Sequence, residues 1–109
     1  MPRYMIQGSY GNEGLSAIVK APQNRIQAIT PAIENIGGKL LDAYFCFGDY
    51  DFVLIVEMPD NVSAVAISMA FGAGGAVKAT KTTPLLSATE TMEAMKKASA
   101  AGYKPATSK

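Results

Sequence analysis

The sequence predicts an α+β domain in which a four-stranded antiparallel sheet and its helices follow the order βαββαβ, with one more helix at the C-terminus. Three observations carry this reading. Arg3 to Tyr10 alternates as a strand does, with Tyr4, Ile6, Gly8 and Tyr10 to one side and Met5, Gln7 and Ser9 to the other. Two apolar stretches, Lys39 to Phe47 and Asp51 to Met58, flank the turn residues around Gly48-Asp49-Tyr50-Asp51. Two segments of helical character are each closed by glycines, at Gly37-Gly38 and at Gly72 to Gly75.

The elements follow in order. Gly11-Asn12-Glu13-Gly14 breaks the first strand, and Leu15 to Lys20 is a short helical turn interrupted by Ala21-Pro22. From Gln23 to Ile36 the isoleucines at 26, 29, 33 and 36 form a helical stripe. Pro31 sits inside it, which requires either a kink or a fresh start with Thr30 as cap and Pro31 at the first position. Pro59-Asp60-Asn61 ends the third strand, and Asp60 or Asn61 caps the next helix. That helix carries Val62, Val65, Ala66 and Met69 on one face, with Ile67 and Phe71 off it. Ala76 to Thr83 is the fourth strand, threonine-rich and carrying Lys78 and Lys81, as suits a sheet edge. Ser87-Ala88-Thr89-Glu90 has capping-box spacing and opens the last helix, to about Ala100. The expected unit is a single domain over residues 1–101 with a flexible tail over 102–109. Two βαβ units on one antiparallel sheet make a ferredoxin-like arrangement.

The hairpin makes a further demand. With Asp49 and Tyr50 as a two-residue loop, Phe47 faces Phe52, Phe45 faces Leu54 and Ala43 faces Val56, all on one side. The other side receives Leu40, Tyr44, Cys46, Val53 and Ile55. Both sides are apolar, and one layer of helices covers only one of them. The expected cover for the other is a second copy, sheet against sheet. Phe45, Phe47, Phe52, Leu54 and Val56 are the expected interface residues. The same register sets Asp42 against Glu57, a like-charge pair that calls for a bulge or for compensation by Lys39 or a partner residue.

Composition excludes several chemistries. Histidine is absent and there is one cysteine, Cys46. The usual neutral-pH base, the Ser-His and Cys-His nucleophiles and the common zinc and haem ligand sets are therefore missing. No metal and no cofactor is expected. Cys46, inside an apolar strand, is expected to be a buried inert thiol. The net charge of +1 and the scattered lysines and arginines argue against nucleic acid as a partner. The uncharged run from 61 to 77 contains Asn61, serines and glycines and falls short of the roughly 20 apolar residues of a membrane span. A cytoplasmic protein without a signal peptide is expected, in keeping with the single cysteine. Hydrophobic residues make up 49% and charged residues 17%, so some apolar surface is expected to meet another subunit.

Gly48-Asp49-Tyr50-Asp51, followed by an apolar strand and Glu57-Met58-Pro59-Asp60, resembles the GYD-domain family. So do the flanks, Ile36-Gly37-Gly38-Lys39-Leu40 before the hairpin and Gly75-Ala76-Val77 with Thr80 to Thr83 after the second long helix. The likeness covers roughly residues 3 to 95. It implies a dimeric α/β barrel, two ferredoxin-like sheets packed face to face, and carries no established activity with it. Pro31 and the segment after Ala100 depart from the family pattern.

Two functions are compatible with these residues. One is a non-enzymatic dimeric or higher-order module that binds a small ligand or serves as an assembly unit. The other is a cofactor-independent enzyme acting on a small apolar substrate, an analogy at the level of the fold. The candidate site residues are Arg25, Tyr44, Tyr50 and Asp51. Asp51 and Tyr50 are the catalytic candidates, with Asp51 as base and Arg25 as anion partner. Against the catalytic role, Asp49 and Asp51 belong to a turn, where Asp commonly bonds backbone groups. A cavity between sheet and helices holding two or more of the four would favour ligand binding or catalysis, and a filled core would favour assembly.

Overall fold

The computed structural model describes residues 1–106. Its elements are β1 (Arg3–Tyr10), α1 (Asn12–Lys20), α2 (Arg25–Asn35), β2 (Lys39–Phe45), β3 (Phe52–Glu57), α3 (Asn61–Ala73), β4 (Val77–Leu85) and α4 (Ala88–Ala100). The four strands form one antiparallel sheet in the order β2-β3-β1-β4. This is the expected α+β, ferredoxin-like architecture, with α1 as a full two-turn helix where the sequence suggested a single turn. The tail expected over residues 102–109 lies partly outside the described residues.

Alternation along the strands sorts the sheet into two faces. Tyr4 and Ile6 of β1 and Phe52, Leu54 and Val56 of β3 are buried together with Ile33 of α2, Met58, and Ala64 and Ile67 of α3. These nine residues are the core, between the sheet and α2 and α3. The opposite face carries Met5, Gln7, Val53 and Ile55, half-buried, and Tyr44, which is 63% exposed. No helix of the described chain covers it.

The hairpin is shorter than the sequence suggests. Phe45 pairs with Phe52, Ala43 with Leu54 and Leu40 with Val56. Cys46 closes the ladder by donating its N–H to the Asp51 carbonyl at 2.9 Å, which leaves residues 47–50 as the loop. The register is shifted by two residues from the expected one, which sets Asp42 opposite Ile55, and a bulge between Leu40 and Asp42 then brings Lys39 opposite Glu57. The expected Asp42–Glu57 clash is thereby removed, and Glu57 also meets Arg3 at 3.4 Å. Phe47, outside the ladder, is 97% exposed. Cys46 is exposed as well, contrary to the buried thiol expected, because it stands at the end of the edge strand β2, whose last residues Tyr44 and Phe45 are exposed too.

Two helices also differ from expectation. α2 continues through Pro31 and is capped by Asn24, whose side chain accepts from the Ile26 and Gln27 N–H groups. Thr30 does not restart the helix; its hydroxyl donates to the Ile26 carbonyl at 2.7 Å. α3 is capped by Asp60, whose carboxylate accepts the Ser63 N–H at 2.8 Å and is thereby held below its usual pKa range. It buries Ala64 and Ile67 and leaves Val62, Val65 and Met69 exposed, the reverse of the face that periodicity suggests. Nearly every position of α3 is apolar or small, so spacing alone does not say which stripe meets the sheet.

α4 opens with the expected capping box between Ser87 and Glu90. None of its residues is buried, and Met92 and Met95 are exposed. The chain has a radius of gyration of 17.7 Å and a longest extent of 62 Å. A compact chain of this length has a radius of about 13 Å. The excess fits a last helix none of whose residues is buried.

Candidate functional site

Gly8 sets the floor of the site. A Cβ at this position would overlap the Phe52 ring, so glycine lets that ring lie across β1. Phe52 then meets Tyr10 at 5.6 Å between ring centres and Phe71 of α3 at 6.3 Å, edge to face at 87°. The three rings line one end of the sheet, where β1 and β2 finish and β3 and β4 begin. The N-terminal turn of α2 and the C-terminal turns of α3 approach the same end.

Between these elements lies a partly open cavity of about 160 Å³. Its walls are Ile26 and Ile29 of α2, Phe45, Phe52 and Leu54 of the hairpin strands, and Ala70 and Phe71 of α3. Gly74, Ala76 and Val77 complete them, and the lining is mostly apolar. Polar groups enter at Tyr10 and Arg25; Tyr44 borders the lining, but its pairing with Val53 sets its side chain toward the open face. Burial pushes the Tyr10 phenol above its ordinary pKa; the Arg25 charge pulls it down and the Asp51 charge adds to the rise. Arg25 donates to the Gln23 side-chain oxygen at 2.8 Å, and among the described residues no carboxylate comes within ion-pair distance of it.

Two of the four candidates, Arg25 and Tyr44, therefore border one cavity. Asp51 and Tyr50 do not. The Asp51 carboxylate accepts the Tyr10 backbone N–H at 2.8 Å, and its own N–H donates to the Gly8 carbonyl at 2.7 Å. The Ser9 hydroxyl donates to the Asp49 carbonyl at 2.7 Å. The turn motif is thus tied to the end of β1, and Asp51 bonds a residue 41 positions away instead of its own turn. Its visible work is to hold Tyr10 at the cavity rim. Tyr50 is half-buried, and its carbonyl faces the Cys46 thiol at 3.2 Å.

The five expected interface residues separate. Phe52, Leu54 and Val56 are in the core beneath the helices and are not available to a partner, while Phe45 and Phe47 remain exposed. On the open face their place is taken by Met5, Val53, Ile55 and Tyr44. The sequence reading put the large residues of β3 on the wrong side because both parities are apolar. Tyr10 and Phe71 also escaped it as site residues. Their partner, Phe52, is far from both in sequence, and the signal that was present is Gly8 inside an otherwise regular strand.

Among the described residues no group of three His, Cys, Asp or Glu is placed to hold a metal ion, and no helix is long and apolar enough to cross a membrane.

Comparison with known proteins agrees with this architecture. A protein of Thermus thermophilus named "Glutamine synthetase and cystathionine beta-lyase binding protein" is 28% identical over 79 residues, covering 72% of this chain and 82% of its own. The crystal structure of MtbAldR superposes with a TM-score of 0.56 at 20% identity, over 79% of this chain. This chain spans about half of MtbAldR, 53% of its length. A hypothetical protein from Pyrococcus horikoshii, PHS023, superposes with a TM-score of 0.50 at 14% identity, over 80% of this chain and 92% of its own. At such identities these structures speak for the fold alone. The GYD domain matches residues 4–95, most of the chain, and the protein belongs to the GYD domain family.

Proposed function

We propose that this GYD domain protein is a non-enzymatic binding module, dimeric through the open face of its sheet, that holds a small ligand between the sheet and α2 and α3. The observation that carries the reading is the cavity of about 160 Å³, apolar along its walls and bounded by the polar groups of Arg25 and Tyr10. Ligand pockets commonly combine apolar walls with a few polar groups that orient the ligand. The catalytic alternative loses its base, since Asp51 is outside the lining and its carboxylate is engaged by the Tyr10 N–H. The name of the Thermus relative, a binding protein for two enzymes, is in keeping with a module that works by association.

The dimer rests on a separate argument. Val53 and Ile55 lie on a sheet face without a covering layer, and a sheet packed against its own copy buries such a face.

The ligand half is tested by NMR titration of the labelled full chain with toluene, benzyl alcohol, benzoate and benzylamine. Binding at the site shifts the resonances of Ile29, Phe52 and Phe71 with at least one probe. If none of the four moves them, the cavity is not a binding site.

A further inference from the structure

We infer that the cavity takes a compact apolar monocarboxylate, with the carboxylate on the Arg25 guanidinium and the apolar body against Phe52 and Phe71. The inference deepens the proposed function and rests on the cavity being a binding site.

Size comes first. An apolar cavity of about 150 Å³ accommodates a benzene ring, and this one is about 160 Å³ and open at one side. The enclosed part of the ligand is therefore one ring or a short branched chain, and a charged end reaches the mouth. The walls fit such a body. The edge-to-face pair of Phe52 and Phe71 offers ring surface, and Ile29 and Leu54 offer aliphatic surface.

Charge comes second. Arg25 is the charged residue of the lining, and it is half-buried at the first turn of α2. Its contact within the chain is to the neutral Gln23 amide oxygen, which orients the guanidinium and leaves its charge uncompensated. Asp51, the nearby carboxylate, is held by the Tyr10 N–H outside the lining. A guanidinium presents donors in a planar fork suited to a carboxylate. A cationic ligand would bring like charge to Arg25, and a neutral one would leave the fork unused. A phosphate would carry more charge and more acceptor atoms than one arginine and one phenol satisfy.

The test compares probes of one shape and different charge. Benzoate, benzyl alcohol and benzylamine are titrated into the full chain by NMR or calorimetry, in the wild type and in Arg25→Gln and Arg25→Lys. Arg25 is at the surface end of α2 and outside the core, so circular dichroism should show all three proteins folded. The expected result is that benzoate binds at least about tenfold more tightly than benzyl alcohol, in line with hydrogen bonds to charged groups. Benzylamine binds more weakly than either. Arg25→Gln removes the preference for benzoate, and Arg25→Lys restores part of it. If benzyl alcohol or benzylamine matches benzoate in the wild type, or if Arg25→Gln keeps the preference, the carboxylate assignment is wrong while the cavity stands as a binding site. If no probe shifts Ile29, Phe52 or Phe71, the cavity itself is wrongly read and both proposals fall.

Discussion

The two faces of the sheet are built from alternate residues of the same strands, yet they do different work. On the covered face Ile6, Leu54 and Val56 are sealed beneath α2 and α3, and at one end the seal opens into the cavity. On the open face Val53 and Ile55 are just as apolar but have no layer above them. Composition therefore does not distinguish a covered face from an open one. What distinguishes them is whether the chain has helices left to cover the surface, and here both packed helices are spent on one side. α4, the remaining long helix, buries none of its own residues and leaves the open face as it is.

The contrast is sharpened first at the centre of the covered face. Ile33→Ala removes a fully buried side chain from α2 and is expected to cost about 3 kcal/mol, as core Ile-to-Ala changes do. Urea unfolding measures the loss. A smaller effect, about 2 kcal/mol from overpacking, is expected for Gly8→Ala, whose methyl group displaces the Phe52 ring. The same variant should lose the probe-induced shifts at Phe71, because the cavity floor has moved.

Asp51 separates a structural from a catalytic reading of the turn motif. Asp51→Ala leaves the Tyr10 N–H without its acceptor, at a cost of about 1 to 2 kcal/mol. Asp51→Asn keeps an acceptor oxygen and should recover most of that stability. A variant pair equal in unfolding midpoint would break the structural assignment. The smallest effect belongs to α4. Truncation after Leu86 in a monomeric background should move the unfolding free energy by no more than about 0.5 kcal/mol, since none of the helix's residues is buried. A larger loss would place α4 against the body of its own protomer.

Much of the fold was legible because local signals agreed. β1 follows from strict alternation, and α4 follows from the Ser87–Glu90 box. The register of the hairpin was legible only in part: the like charges at Asp42 and Glu57 signalled that the two-residue-loop register was unfavourable, and the strands pair two residues away from it, with a bulge after Leu40 that brings Lys39 to Glu57. Local signals failed where residues were apolar in every direction. Cys46 and Phe47 prolong the look of a strand past its last pair, and α3 offers two apolar stripes of which only one meets the sheet. The cavity was the least legible feature. Arg25 was singled out by its place at the end of the sheet, but Tyr10, Phe52 and Phe71 come together only through long-range pairing.

The difference between the two faces is tested most directly by sedimentation velocity on the wild type and on Ile55→Lys, at protein concentrations in the tens of micromolar. The expected result is a wild-type dimer and a folded Ile55→Lys monomer that still binds benzoate. A monomeric wild type, or an Ile55→Lys protein that remains a dimer, would contradict the assignment of the open face to a second copy.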